Sequence, residues 1–306
     1  MKPIARFSSL DGAKLGEGPV HLAIGMFDGV HLGHRAVIGG AVRAARAGAG
    51  ASAVMTFRPH PSALFRPDRP TRLILDSASQ AALLERLDVD AVVTQPFTRE
   101  FAAIPAGEFA AWLKARVPRL AALYVGRNFR FGAGRQGDGD RLAASAGPLG
   151  VAVVSVPPVE MDGAPVNSTR IRGLLAEGDV AAANALLGYA YFARGRVVAG
   201  RRLGRSLGFP TLNLDWEPDL KPRFGVYAVS VAGLAGVANY GLRPTVEAGS
   251  TRPRLEVHLL EACPFGAGDE LLVEWRRFIR PEMKFGSIDE LRARIAEDAA
   301  AAAIGR

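Results

Sequence analysis

The stretch VHLAIGMFDGVHLGH, residues 20–34, decides the fold of the first part of the chain. It starts with apolar residues typical of a β-strand and continues with three glycines and two histidines before residues with helical spacing. A helix that begins directly after such a turn presents unpaired backbone N–H groups and the positive end of its dipole. The stretch therefore predicts a strand, a turn and a helix from about Gly33, with His31 and His34 beside a potential phosphate site.

The motif H-x-G-H at residues 31–34 has several interpretations. For the motif alone, the preferred one is that Gly33 and His34 merely begin a helix, since short motifs occur by chance. The histidines could instead donate hydrogen bonds to a phosphate whose charge grows in a transition state, and H-x-G-H after a strand resembles the signature of the nucleotidylyl transferases. Zinc is disfavoured, because the sequence has one cysteine and no convincing further ligand set.

Strands and helices alternate regularly over the first part of the chain. We expect strands at 20–27, 52–57, 90–97, 120–126 and 151–157, and helices at 34–48, 77–87 and 105–117. This alternation predicts a doubly wound parallel sheet in an α/β domain.

After about residue 187 the pattern changes to short β-type runs separated by glycine and proline. Such a pattern predicts an antiparallel barrel or sandwich, followed by a final helix capped by Ser287 and Glu290. We therefore expect two domains, 1–187 and 188–306.

The composition limits the classes of protein and partner. With 49% hydrophobic and 22% charged residues the chain is globular, and no apolar run reaches the ~20 residues that span a bilayer. We expect a cytoplasmic protein, a monomer or weak homo-oligomer, with no membrane partner. The net charge of +8 raises nucleic acid as a partner. The charges are spread over both parts with no basic block, so we expect none, although an RNA-binding protein on this scaffold is the alternative from another class.

Three further stretches of the first domain fit a nucleotide site or, alternatively, ordinary loops and a helix cap. TFRPHP (56–61) and VGRNFRFGAGRQGD (125–138) each follow a strand, where ligands bind in open α/β sheets. NSTRIRGLL (167–175) opens a helix with two hydroxyls and then projects two arginines, which makes it a plausible second phosphate clamp.

Two stretches of the second domain suggest phosphoryl transfer. Thr211 and Asn213 are two apart on an extended chain, so they share a face and offer the hard oxygen ligands that suit Mg²⁺. Glu256 and His258 also share a face, and the carboxylate could take a proton from an attacking hydroxyl. A charged pair on the solvent face of an edge strand is the competing interpretation.

In this order, the four stretches of the first domain resemble the adenylyltransferase module of the bacterial bifunctional riboflavin kinase/FAD synthetase family. The resemblance implies a Rossmann-like nucleotidylyltransferase domain that transfers AMP from ATP to FMN and releases pyrophosphate. It implies that His31 and His34 hold the ATP phosphates, that Arg172 supports them, and that Asn128 lies between nucleotide and flavin. Further ATP or phosphate contacts are expected at Gly25, Phe27, Asp28, Gly33, Ser168 and Thr169, and flavin contacts at Phe57, His60 and Phe129. The sequence departs from the family pattern at Met26, where asparagine is frequent, and at Asn167, where serine is usual.

The second domain resembles the riboflavin kinase module in GRRLGRSLGFPTLNL, PRFGVY, GVANYGLRPT, LEVHLL and RPEMKFGS. The resemblance implies a six-stranded antiparallel Greek-key barrel in which Thr211 and Asn213 bind Mg²⁺–ATP and Glu256 is the base for the riboflavin 5′-hydroxyl. Phosphate contacts are expected at Gly204, Arg205 and Gly208, and a flavin contact at Arg280. The functional hypothesis is that the protein phosphorylates riboflavin to FMN with ATP and then transfers AMP from ATP to FMN, which gives FAD. The alternative is a riboflavin kinase with a weak or redirected adenylyltransferase.

Overall fold

The structure, a computed structural model, describes residues 4–200, 208–242 and 253–303. The chain forms two compact units, Met1–Ser168 and Thr169–Arg306. None of the helices in the described residues is long and apolar enough to cross a membrane.

The first unit is built on a six-stranded sheet in which every pairing is parallel, in the order β1-β4-β3-β2-β5-β6. The strands are β1 Ala5–Phe7, β2 Val20–Ile24, β3 Ala51–Arg58, β4 Ala91–Pro96, β5 Leu120–Gly126 and β6 Ala152–Val156. The helices are α1 Leu32–Ala47, α2 Pro61–Phe65, α3 Ser77–Glu85, α4 Arg99–Ala102, α5 Ala106–Arg116 and α6 Gly139–Ala146. A short hairpin of β7 Glu160–Met161 and β8 Ala164–Pro165 follows.

The predicted doubly wound parallel sheet is confirmed. The central strand β3 is buried along nearly its whole length, as expected for a strand covered on both faces. Helix α1 packs on β2, β3 and β5, and the other face carries a core of α5, α6 and strand residues that includes Phe109 and Leu123. Chain order reverses between β2 and β5, which are neighbours. Ligands bind at such a switch point in open α/β sheets.

Some elements of the first unit differ from the prediction. Strand β1 and the short helices α2 and α4 were not predicted, because segments of three to five residues carry little periodicity. Pro105 is the N-cap of α5 rather than a residue of its first turn. Asp76 caps α3, since its carboxylate accepts the Ser79 backbone N–H at 2.8 Å.

The second unit begins with two helices and continues as a closed antiparallel barrel in the order β10-β13-β12-β11-β14-β9. The helices are α7 Ser168–Glu177, which starts at the last residue of the first unit, and α8 Val180–Leu187. The strands are β9 Phe192–Val198, β10 Leu212–Asp215, β11 Gly225–Val231, β12 Leu234–Leu242, β13 Pro253–Leu259 and β14 Glu270–Arg280. The last helix is α9 Ile288–Ala303. The predicted six-stranded antiparallel barrel is confirmed.

Aromatic rings fill the barrel around Trp275, which is fully buried. The Tyr227 ring lies 4.5 Å from it and the Tyr240 ring 5.7 Å, both edge to face, the geometry that aromatic quadrupoles prefer. Burial raises the pKa of both tyrosines far above the usual range of phenols, so both stay neutral at any working pH.

A buried ion pair connects α9 to the barrel. The Arg280 guanidinium, at the end of β14, donates to both carboxylate oxygens of Asp298 on α9, with Nη2–Oδ2 at 2.7 Å and Nε–Oδ1 at 2.9 Å. Their side chains are only 9% and 4% exposed. At the start of α9, Ser287 Oγ accepts the Glu290 N–H as predicted, while the Glu290 carboxylate accepts from Gly286 rather than from the cap itself.

We expect Asp298→Ala to lower the free energy of unfolding of the second unit by about 3–5 kcal/mol, because it leaves a buried guanidinium without its counter-ion. The measurement is urea unfolding followed by tryptophan fluorescence in a Trp112→Phe background, which leaves Trp216 and Trp275, both in this unit. The control is Glu270→Ala, which removes a pair with Arg196 whose side chains are 64% and 69% exposed and should cost about 0–1 kcal/mol. Equal effects of the two substitutions would contradict the assignment.

Candidate active sites

The turn between β2 and α1, residues 25–31, is called the phosphate loop below. Backbone bonds fix its start: Gly25 N–H donates to the Met55 carbonyl at 3.1 Å, and the Met26 carbonyl accepts from Thr56 Oγ1 at 2.9 Å. The Met26 side chain packs on the core. The departure from the frequent asparagine therefore leaves the backbone at residue 26 anchored.

His31 caps the helix that follows the phosphate loop. Its Nδ1 accepts the His34 backbone N–H at 3.3 Å, so the neutral ring carries its proton on Nε2, which becomes a donor. The His31 ring is buried and stacks on the His34 ring, with centroids 3.6 Å apart, and the Phe27 ring meets His34 edge to face. The structure thus brings the two predicted histidines together with Phe27 at a helix N-terminus, the place where anions bind.

Asp28 is buried inside the phosphate loop and holds another segment. Its carboxylate accepts the Ile74 N–H at 3.0 Å and the Leu75 N–H at 3.4 Å, while its carbonyl accepts from Ser168 Oγ at 3.0 Å. A carboxylate cannot donate to a phosphate. These contacts therefore indicate a supporting role for Asp28, and its predicted phosphate contact remains a prediction.

The loop contains backbone strain beside the histidines. Phe27 and Val30 adopt left-handed conformations, with φ of 49° and 40°, which cost about 1–3 kcal/mol each for residues with side chains. Gly33 leaves little space, because a Cβ there would lie 3.2 Å from both His31 Cε1 and the Val166 carbonyl oxygen.

The TFRPHP loop follows β3, the strand next to β2. Phe57 is buried and packs against Phe97 and Phe101, so its side chain belongs largely to the core. His60 caps α2, with Nδ1 3.1 Å from the Ser62 nitrogen. Both lie at the carboxyl end of β3, where they were expected, and their flavin contacts stay predictions.

The loop after β5 starts at the carboxyl end of the other strand that pairs with β2. Asn128 is exposed, and the half-buried Phe129 ring stacks on Phe131, with centroids 5.5 Å apart and planes 18° from parallel. Phe131 in turn packs on Phe109 of α5. An exposed amide beside a stacked aromatic pair suits a flat ring, and the predicted placement of flavin there remains a prediction.

The predicted phosphate clamp on α7 is divided between the units. Ser168 lies in the first unit and bonds the phosphate loop, whereas Thr169 and Arg172 belong to the second unit. Thr169 is exposed and Arg172 half-buried. Their contacts with phosphate remain predictions.

In the second unit, Thr211 and Asn213 lie at the start of β10. Leu212 and Leu214 point into the barrel and are buried, while Thr211 and Asn213 alternate with them and are more exposed. This confirms that the two share the outer face. A Cβ at Gly200 would overlap the Asn213 amide, so the glycine makes room for that side chain.

Strand register places the candidate base beside this pair. Glu256 of β13 is paired with Asn213 of β10 on one side and with Asn239 of β12 on the other. The three half-buried residues form one cross-strand row, in which Cβ atoms of direct neighbours lie about 4.5–5.5 Å apart. The competing interpretation of an edge strand is wrong, since β13 is paired on both sides in a closed barrel.

The remaining predicted residues of this site have separate surroundings. Gly208 adopts a left-handed φ of 86°, while Gly204 and Arg205 lie outside the described residues. His258 Nδ1 is 2.9 Å from the Pro210 carbonyl oxygen and holds the start of β10. Arg280 is engaged by Asp298, so its predicted flavin contact remains a prediction.

Sequence reasoning missed Asn239 and Gln80. Asn239 alternates with buried residues of β12 and stands opposite Glu256, a relation that needs the register of strands distant in sequence. Gln80 lies on α3 in the stripe of Leu83 and Leu84. A polar residue in an apolar stripe was a signal that could have been noticed.

Comparison with known proteins matches each of the two domains to a family. A family model described as FAD synthetase matches residues 16–170, and one described as riboflavin kinase matches residues 187–304. The proteins named bifunctional riboflavin kinase/FMN adenylyltransferase from Escherichia coli (strain K12) and Pseudomonas fluorescens are 40% and 39% identical to this chain. The alignments cover 90% and 91% of this chain and 90% of each relative. The chain belongs to the bifunctional riboflavin kinase/FMN adenylyltransferase family.

A further relative carries the same name, and a solved structure shares the fold. The relative of the same name from Bacillus subtilis (strain 168) is 36% identical, over 90% of this chain and 89% of its own length. A crystal structure described as a macrolide-efflux protein from Streptococcus pneumoniae superposes with a TM-score of 0.87 at 28% identity, over 99% of both chains. That description names an activity found in neither family model, and the superposition supports the fold.

The segment between the two family models, residues 171–186, contains most of α7 and α8. The boundary between the compact units, after Ser168, lies two residues before this segment. The functional boundary at 187 remains a prediction.

We expect Gly33→Ala to lower the free energy of unfolding by about 1–3 kcal/mol, because the added methyl presses on His31 and the Val166 carbonyl in a packed site. The measurements are thermal unfolding and the NMR shifts of the His31 and His34 rings, which should both move.

The matched control is Gly107→Ala. Gly107 is likewise the second residue of its helix, and a Cβ there meets nothing within 4 Å. This variant should gain about 0.4–1 kcal/mol from lower entropy of the unfolded chain, with both histidine signals unchanged. Equal responses of the two variants would show that the loop has room for a side chain.

Proposed function

We propose that the protein makes flavin cofactors in two steps, phosphorylating riboflavin to FMN with ATP and then transferring AMP from a second ATP to FMN. The observation that carries the proposal is the presence of two independent sites in one chain. One is the stacked His31–His34 pair at a helix N-terminus, and the other is the row of Asn213, Glu256 and Asn239 on the barrel. Membership of a bifunctional family supports both activities.

In the adenylyl transfer, a phosphate oxygen of FMN attacks the α-phosphorus of ATP, and the bond to the departing pyrophosphate breaks. Negative charge grows on the leaving phosphates. Nε2–H of His31, whose tautomer is set by the cap bond at Nδ1, and the ring of His34 donate hydrogen bonds there. Preorganised donors of this kind contribute about 10²–10³ in rate. The first-turn N–H groups of α1 add to the same field.

In the kinase step, the Glu256 carboxylate takes the proton of the ribityl 5′-hydroxyl as that oxygen attacks the γ-phosphorus of ATP and ADP leaves. General bases contribute about 10²–10⁴ in rate. Asn213 and Asn239 flank Glu256 in the row and limit the directions its carboxylate can take.

Mg²⁺ is implied by the family, and the residues present fit it. Thr211 and Asn213 offer a hydroxyl and an amide oxygen from one outer face, and Mg²⁺ takes few protein oxygens while keeping waters and substrate phosphates. Bound there, it would neutralise charge on the phosphates of ATP. Asn213, held against Gly200, would orient the ligand oxygen.

The two sites should be separable by substitution. We expect His31→Asn with His34→Gln to slow FAD formation from FMN at least a hundredfold and to leave FMN formation unchanged, because asparagine keeps a cap at α1 and removes the imidazole. Glu256→Gln should do the reverse when FMN is supplied. The measurement is chromatography of the flavins after incubation with Mg²⁺ and ATP.

The same assay distinguishes the bifunctional reading from the alternative. Accumulation of FMN without FAD by the unaltered protein would support a riboflavin kinase with a weak or redirected adenylyltransferase. Equal loss of both reactions in either variant would contradict the division between the sites.

We expect Asn213→Leu to raise the Mg²⁺ concentration needed for half-maximal FMN formation at least tenfold. Leucine has a volume similar to that of asparagine but lacks the amide oxygen that would bind the metal. Asp215→Asn is the control, since Asp215 lies two residues further along the same face and is exposed. Its Mg²⁺ dependence should match that of the unaltered protein. An unchanged requirement in Asn213→Leu would place the metal elsewhere.

A further inference from the structure

Gln80 is a buried glutamine on α3, only 5% exposed. Its Nε2 donates to the Met26 carbonyl at 2.8 Å, and its Oε1 accepts from Arg58 Nη2 at 2.9 Å. Both ends of the amide are therefore used, as burial of a polar group requires.

The orientation of this amide is fixed by its partners. A guanidinium can only donate and a carbonyl can only accept, so a flipped amide would set donor against donor and acceptor against acceptor. Thr56 Oγ1 donates to the same Met26 carbonyl at 2.9 Å, which occupies both of its lone pairs. Only one orientation of the Gln80 amide therefore satisfies both of its partners.

This connection joins the two loops that follow adjacent strands. Met26 belongs to the phosphate loop after β2, and Arg58 is the last residue of β3, two residues before His60. Thr56 already joins β3 to the Met26 carbonyl directly, and the bonds of Gln80 add a second connection, which extends to the Arg58 side chain at the end of the strand. A displacement of about 1 Å in a reacting pair can cost a hundredfold in rate.

We propose that Gln80 is a positioning residue for adenylyl transfer. It holds the phosphate loop and the end of β3 in the relative position that the reaction needs, without touching the substrates. This inference rests on the proposed FMN adenylyltransferase function and assigns that site a residue on α3.

The test compares Gln80→Met and Gln80→Glu with the matched control Gln95→Met. Gln95 is also a buried glutamine of the first unit, at 7% exposure, and its Oε1 accepts the Leu10 backbone N–H at 2.9 Å. Loss of a buried amide is thus common to both methionine variants. Only Gln80 is bonded to the two loops.

For Gln80→Met we expect kcat of FAD formation to fall at least tenfold with KM for ATP changed less than threefold, and riboflavin phosphorylation unchanged. Gln95→Met should lose a similar amount of thermal stability and keep kcat. The kinase reaction of the same chain confirms that the second unit is folded in each variant.

Gln80→Glu adds a pH dependence of FAD formation that a loss of stability alone would not produce. Near neutral pH its carboxylate opposes the Met26 carbonyl and the reaction slows. As the pH falls and the carboxyl takes a proton, its O–H can donate to that carbonyl while the other oxygen keeps Arg58. FAD formation relative to the unaltered protein should therefore rise toward acid pH.

Two results would overturn the inference. If the unaltered protein makes FAD while Gln80→Met keeps the kcat of Gln95→Met and Gln80→Glu shows no acid recovery, the proposed function stands and the role of Gln80 is wrong. If the unaltered protein makes FMN but no FAD, the adenylyltransferase function fails and the inference fails with it.

Discussion

A carboxylate without access to water needs hydrogen bonds wherever it lies, and in the first unit this requirement shapes the site. Asp28 meets it with the backbone N–H groups of Ile74 and Leu75. The phosphate loop is thereby fastened to the segment that leads into α3, and through the Asp28 carbonyl to Ser168. Such bonds offset the left-handed backbone at Phe27 and Val30 and keep both histidine rings at the first turn of α1.

In the second unit, strand register holds the residues of the candidate site in place. Neighbours in a cross-strand row are set by the pairing itself, so Glu256 stands between Asn213 and Asn239 without any long side chain having to reach. A one-residue slip of β13 would turn Glu256 into the aromatic interior. The apolar ring cluster around Trp275 disfavours that slip, because the slip would bury an unpaired carboxylate.

The sequence predicted the sheet, the barrel and most strand positions, because periodicity and glycine or proline punctuation are local properties. It also placed His31 at the start of α1, from residues next to one another in the chain. It could not show that Asp28 and Arg280 are occupied by partners 46 and 18 residues away. Gln80 and Asn239 were missed for the same reason, since their meaning depends on neighbours that only the folded chain brings close. Family resemblance suggested roles for single residues, whereas the contacts that hold those residues in place became visible only in the structure.

The closed barrel has a consequence for how the chain folds during its synthesis. Asn213 meets Glu256 only when β10 pairs with β13, and β9 must still join β14 to complete the ring. Pairing across such sequence distances is slow and needs nearly the whole second unit. On a ribosome, the phosphate loop and its supports, which end at Ser168, emerge well before β13 and β14. The chain is therefore synthesised in the reverse order of its proposed chemistry: the unit for the second reaction can fold first, while the unit that would supply its FMN is still being made.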